Sequence, residues 1–142
     1  MKYKFFLVIF VGSFLCVVSC KKEPKTGDYK GTFKGRLETD TSITNYETVY
    51  YFDVTHSTKK ELRLKEKQSQ ITSVLKKHEK DSIEGMIAFG SIQADLSVSV
   101  TFNTISIQGK YDKKSITGRF LATFGDKNKE YFSEGSFIMS AY

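Results

Sequence analysis

Residues 105–120 read ISIQGKYDKKSITGRF, and their pattern decides the fold. Ile105, Ile107, Gly109 and Tyr111 fall on one face of an extended chain, with Ser106, Gln108 and Lys110 on the other. After Asp112-Lys113-Lys114-Ser115 the alternation resumes with Ile116, Gly118 and Phe120, and runs on through Ala122 and Phe124. Period-two alternation marks a half-buried strand. A four-residue polar break between two such runs makes an antiparallel hairpin.

The same pattern extends in both directions. Gly125-Asp126-Lys127-Asn128 reads as the next turn, and Tyr131 to Tyr142 as a last strand. Toward the N-terminus, residues 91–103 alternate without exception: Ile92, Ala94, Leu96, Val98, Val100 and Phe102 interleave with polar residues, so they read as one strand. The phase shifts at Asn103-Thr104, which fits either a two-residue turn or a bulge in one long strand. Ile83, Gly85, Ile87 and Phe89 form another face, preceded by KKHEKD (76–81), read as a charged loop. Ile71 to Leu75 and the pair Leu62 and Leu64 give short strands. Tyr46, Tyr50, Phe52 and Val54 give a longer one, and Tyr29, Gly31, Phe33, Gly35 and Leu37 the first. This is an all-β chain of eight to nine strands with no helix, an antiparallel meander that closes as a barrel or folds as a sandwich. Closure as a small barrel is expected, with the strand near 131–141 pairing to that near 28–38, because it removes both exposed edges.

One local pattern recurs: Gly27-x-Tyr29, Gly31-x-Phe33, Gly109-x-Tyr111, Gly118-x-Phe120 and Gly135-x-Phe137. Glycine weakens a strand, so its repeated use needs a reason. Each glycine shares a face with the ring two residues on, which places a large side chain beside a vacancy. Small-beside-large suits the taper and sharp bending of a small barrel. A second use is a lumen for a small apolar ligand, lined by Phe33, Tyr111, Phe120 and Phe137.

The N-terminus has a separate logic. Lys2 and Lys4 precede an apolar run from Phe5 to Val18, interrupted only by Gly12, Ser13 and Cys16. As a helix that run spans about 21 Å, short of the ~30 Å hydrocarbon core of a bilayer. It has the layout of a secretory signal peptide, with Val17-Val18-Ser19-Cys20 in place of an A-x-A site. Those four residues resemble the lipobox of bacterial lipoproteins. The resemblance implies a diacylglycerol thioether on Cys20 and cleavage before it. The division expected is therefore signal peptide at 1–19, lipidated Cys20 and polar tether at 20–27, and barrel at 28–142. Removal of 1–19 from the 142 residues leaves 123, and takes two lysines and no acid with it, so the net charge falls from +6 to +4. Neither Cys16 nor Cys20 then belongs to the folded domain, which must rest on its core with no disulfide.

The lipobox, GDYKGTFKG near the start, ISIQGKYDKKSITGRF and EGSF together look like the small lipocalin-like (calycin-type) lipoproteins of Bacteroidota. Gly31-x-Phe33 stands where lipocalins place Gly-x-Trp, and this chain has no Trp. The Gly-x-Phe hairpins are also similar to the barrels of transferrin-binding-type surface lipoproteins. The resemblance implies a lipocalin-like barrel held at the outer membrane by its lipid, on the periplasmic or the surface face.

Chemistry of other kinds is thinly represented. His56 and His78, the two histidines, have no partner at metal-ligand spacing. A domain without cysteine offers neither thiolate catalysis nor zinc–thiolate binding, and no G-x-S-x-G, H-E-x-x-H or phosphate-binding glycine loop occurs. Glu38 with Asp40, or Glu130 with Glu134, are carboxylate pairs of the kind common at strand ends. Lysines interspersed with acids, as in KEKQ and GDKNKE, do not form the basic stripe of a nucleic-acid protein. The expectation is a monomeric, non-catalytic lipoprotein without cofactor or metal. It meets the membrane through its N-terminal lipid and binds a small apolar ligand or, with a filled barrel, an envelope protein.

Overall fold

A computed structural model of the chain describes residues 23–93, 101–125 and 130–142. Eight strands follow one another: β1 (Gly27–Glu38), β2 (Ile43–Ser57), β3 (Glu61–Glu66), β4 (Thr72–Lys77), β5 (Ser82–Gln93), β6 (Thr101–Tyr111), β7 (Ser115–Gly125) and β8 (Glu130–Ala141). Each pairs antiparallel with its neighbours in sequence, and β8 pairs back onto β1 to close the barrel. At that seam Phe33 lies opposite Phe137 and Gly35 opposite Gly135. The expected closure is present, and closure leaves neither terminal strand as an open edge.

The alternation read from the sequence is the physical basis of this arrangement. In β1, Tyr29, Phe33 and Leu37 are buried while Lys30, Lys34 and Arg36 are exposed. In β7, Ile116, Phe120 and Ala122 are buried while Arg119 and Leu121 face outward. One inward face per strand supplies a single core, from Tyr29 to Met139. Among the described residues, every strand pairing and every core residue lies between Gly27 and Ala141, so this part of the chain carries its own fold.

Glycine pairs set the closeness of two seams. Gly109 faces Gly118 across β6 and β7, and Gly35 faces Gly135 across β1 and β8. A Cβ on Gly118 would run into the Gln108 carbonyl, and one on Gly135 into that of Lys34. The Tyr46 ring occupies the space above Gly35, 2.5 Å from where a Cβ would stand. The glycine-beside-ring pattern is thus partly a matter of ring packing and partly of backbone approach.

The two ends of the barrel differ. At the near end β1 begins, and the turns after β2, β4 and β6 gather around it. At the far end lie the turn 39–42, the last residues of β5 and β7 and the first of β6 and β8. The wall is uneven, because β3 and β4 have six residues each. Glu66, the last residue of β3, stands opposite Phe52, so the hairpin of β3 and β4 stops well short of the start of β2 at Ile43.

Two expectations are corrected, and one pair of alternatives is resolved. Residues 91–103 do not form one strand: Ile92 and Phe102 are antiparallel partners, so the chain ascends in β5 and returns in β6. Residues 94–100 between them lie outside the described residues. The phase shift at Asn103-Thr104 is a bulge within β6, where the register against β7 slips between Phe102 and Thr104. KKHEKD is not all loop. Lys76 and Lys77 complete β4, and Lys77 points inward with 7% of its surface exposed. The turn proposed at 125–128 falls mostly on residues 126–129, outside the described part, with Gly125 ending β7.

Candidate functional site

The lumen is the place to look for a small-molecule site, and rings occupy its middle. Phe33, fully buried, has the centroids of Tyr50, Phe52, Phe89, Phe120 and Phe137 within 5.6 to 6.4 Å of its own. Most of these contacts are edge-to-face, the arrangement favoured by ring quadrupoles; Phe137 stacks at an interplanar angle of 22°. Phe33, Phe120 and Phe137, three of the four residues expected to line a lumen, are therefore together, with Phe120 and Phe137 each packed on Phe33. Tyr111, the fourth, is half-buried at the near end. A ligand in the middle of this barrel would have to displace the Phe33 ring. Cys20, the expected lipidation site, lies outside the described residues.

Toward the far end, polar side chains bind the wall together. The Tyr46 hydroxyl lies 2.7 Å from Ser133 Oγ, which donates to the Arg36 carbonyl at 2.9 Å. This relay links β2 and β8 across β1. Glu66 is 2% exposed, and its carboxylate accepts the backbone N–H of Gln68 at 3.0 Å and of Ser69 at 2.5 Å, capping the turn after β3. Burial, only partly offset by the nearby Thr48 side chain, pushes the Tyr50 hydroxyl up to about 12. Ser73 Oγ accepts the N–H of Ala88, a side-chain bond between β4 and β5 beyond their last ladder pair, Leu75–Gly85.

Residues 23–25, just before β1, lie against the near end. Pro24 is buried, and the N–H of Lys25 donates to the Lys113 carbonyl at 3.2 Å. Lys77 Nζ donates to the Thr58 carbonyl at 2.6 Å and to Ser57 Oγ at 3.0 Å, and stands 4.9 Å from the centre of the Tyr111 ring. Burial lowers the Lys77 pKa, and the nearby Glu23 carboxylate partly opposes this. The Tyr29 hydroxyl is buried close to the Lys25 backbone, without a hydrogen bond of good geometry. The inward Lys77 was legible in principle, since it continues the phase of Ser73 and Leu75. A run of charges concealed it.

The remaining candidates sit apart from one another. His56 is exposed beside the bulge in β2, and His78 Nε2 lies 2.9 Å from Glu84 Oε1 on the surface. Glu38 is exposed 3.9 Å from Arg36, and Glu134 is exposed on the outer wall. Among the described residues no three His, Cys, Asp or Glu side chains gather in a group that could hold a metal.

The class defined by these observations is a closed, eight-stranded antiparallel barrel with an aromatic interior, compatible with a calycin-like fold. Comparison with protein-family models, with curated proteins and with solved structures found no match to this chain.

Proposed function

We propose that this chain is a lipoprotein of the bacterial cell envelope whose filled, non-catalytic barrel acts through its surface, as a protein-interaction or envelope-assembly module. The observation that carries the reading of the barrel is the fully buried Phe33 ring among five others. Eight strands enclose room for packed side chains or for one small ligand, and this core spends that room on side chains. The reading of the anchor rests on Val17-Val18-Ser19-Cys20 after a short apolar run, and on the likeness to lipocalin-like lipoproteins of Bacteroidota. In that reading Cys20 is acylated, and several acyl chains hold the protein stably where one would not. Lys21 rather than Asp follows Cys20, which favours the outer membrane over retention in the inner one.

A lumenal apolar ligand is the second reading, favoured by the convergence of Phe33, Phe120 and Phe137 on one interior. It requires the central ring to move. Labelling of the host with a fatty-acid analogue tests the anchor: label is expected on the protein and absent from Cys20→Ser. Label retained in that variant would refute acylation at Cys20. Native mass spectrometry of the protein purified from its host decides between lumen and surface.

A further inference from the structure

We infer that the near end of the barrel is a docking face for an anionic lipid surface, on which the domain stands with its turns against the headgroups. The inference deepens the anchoring reading above and rests on it for the position of Cys20. The first observation is reach. The tether expected at 20–27 does not behave as a free spacer from Glu23 onward. Pro24 is buried, Lys25 bonds to Lys113, and Gly27 already belongs to β1. Only Lys21 and Lys22 separate Glu23 from Cys20. Three residues of extended chain reach at most about 10 Å. A barrel attached through Cys20 therefore has its near end at the headgroups, whatever the angle of the chain.

The second observation is charge. The turns at this end carry Lys59, Lys60, Lys80, Lys113 and Lys114, with Lys25 beside them, and all six are exposed. None takes part in the ion pairs among the described residues, which join Lys34 to Glu47, Arg36 to Glu38, Arg63 to Glu61, Lys67 to Asp28 and His78 to Glu84. Besides Asp28 and Glu61, which pair with Lys67 and Arg63, the acids at the same end are Glu23, Glu79, Asp81 and Asp112. Asp112 is turned into its own hairpin, its Oδ1 accepting the N–H of Lys114 and of Ser115 at 2.8 Å. Six cations against four acids leave this end net positive. In the turn at 39–42, at the other end of the barrel, Asp40 is the one charged residue. Basic residues beside a lipid anchor add to its hold on anionic membranes, each contributing roughly fivefold in partition, within a Debye length of about 10 Å at 0.1 M salt.

The test has two arms. In the first, acylated protein from its host is reconstituted into vesicles holding a headgroup-linked quencher. A fluorophore is carried on Lys59→Cys, Lys113→Cys or Thr41→Cys, each the sole free thiol once Cys20 is in its thioether. Strong quenching at 59 and 113 and little at 41 is expected. Equal quenching at all three, or quenching at 41 alone, would overturn the proposal. In the second, residues 20–142 with Cys20→Ser are mixed with vesicles of phosphatidylcholine alone or with phosphatidylglycerol added. Retention by the anionic vesicles is expected, falling as salt rises and dropping at least tenfold when Lys59, Lys60, Lys80, Lys113 and Lys114 become Gln. Retention unchanged by those five substitutions would refute the role of the lysines. A host protein without acyl groups refutes the anchoring reading, and the second arm then decides the lysine face by itself.

Discussion

The rings of Tyr50 on β2 and Phe89 on β5 approach to 4.3 Å between centroids, although these two strands share no ladder among the described residues. They flank the side of the barrel where the short hairpin of β3 and β4 leaves the wall low. Backbone hydrogen bonds close the barrel elsewhere; on this side a pair of side chains, 4% and 0% exposed, does it instead. The arrangement predicts that Phe89→Ala costs about 3–5 kcal/mol, as for large aromatic truncations in cores. Denaturant unfolding measures the loss. Binding of a hydrophobic dye by the folded variant, absent from the parent, would report the opened side.

Tyr50 predicts how the barrel responds to alkali. Its folded pKa, pushed up to about 12 mainly by burial, exceeds the ordinary tyrosine value near 10. The neutral form is the one the fold favours. Its stabilisation is fully present below pH 10 and is lost as the pH rises through 12, and two units amount to roughly 2–3 kcal/mol. Tyr50→Phe should therefore unfold at higher pH than the parent, with the phenolate absorbance of the parent rising together with unfolding. Ionisation of all seven tyrosines of residues 20–142 near pH 10 in folded protein would contradict this.

Lys77 has the opposite sign. Burial lowers its pKa, so between the folded value and about 10.4 the unfolded chain binds the proton and the folded one releases it. Stability contributed at this site rises with pH across that window. Relative to Lys77→Met, the parent should gain stability as the pH rises toward the ordinary lysine value, followed in parallel urea titrations. A constant difference between the two proteins would show that the ammonium is as well solvated inside as in water.

Tyr29→Phe should be close to neutral, within about 1 kcal/mol, and on the stabilising side. Deleting a buried hydroxyl that lacks a well-formed hydrogen bond removes a desolvation cost and leaves the ring in place. Tyr46→Phe is the control: its hydroxyl lies 2.7 Å from Ser133 Oγ, and its loss should cost about 1–3 kcal/mol. Thermal unfolding of the two variants side by side gives the comparison.

The strands were legible because one face of each is buried and period two survives almost everywhere, as in Tyr29 to Leu37 and Ile116 to Ala122. Closure was legible from the rule that edges must be covered. What escaped was local. The alternation of 91–103 continues through a reversal of direction, because a hairpin that keeps its phase looks like one strand. Lys77 escaped because its inward position depends on hydrogen bonds that its ammonium donates to Ser57, at the end of β2, and to Thr58 just after it. Pro24 escaped for a similar reason, since its burial comes with the bond from Lys25 to Lys113 in a turn distant in sequence. The four aromatic residues picked for a lumen separated into three at the centre and one at the mouth, a distinction set by height along the barrel that face periodicity does not encode.

The central claim is that Phe33 and its neighbours fill the barrel, leaving function to the surface. Native mass spectrometry of the protein purified from its own host measures this most directly. The account predicts a mass equal to the chain from Cys20 plus its acyl groups, with nothing further bound. A stoichiometric small molecule that survives purification and is lost from Phe33→Trp would contradict it, and would return the lumen to the role of a binding site.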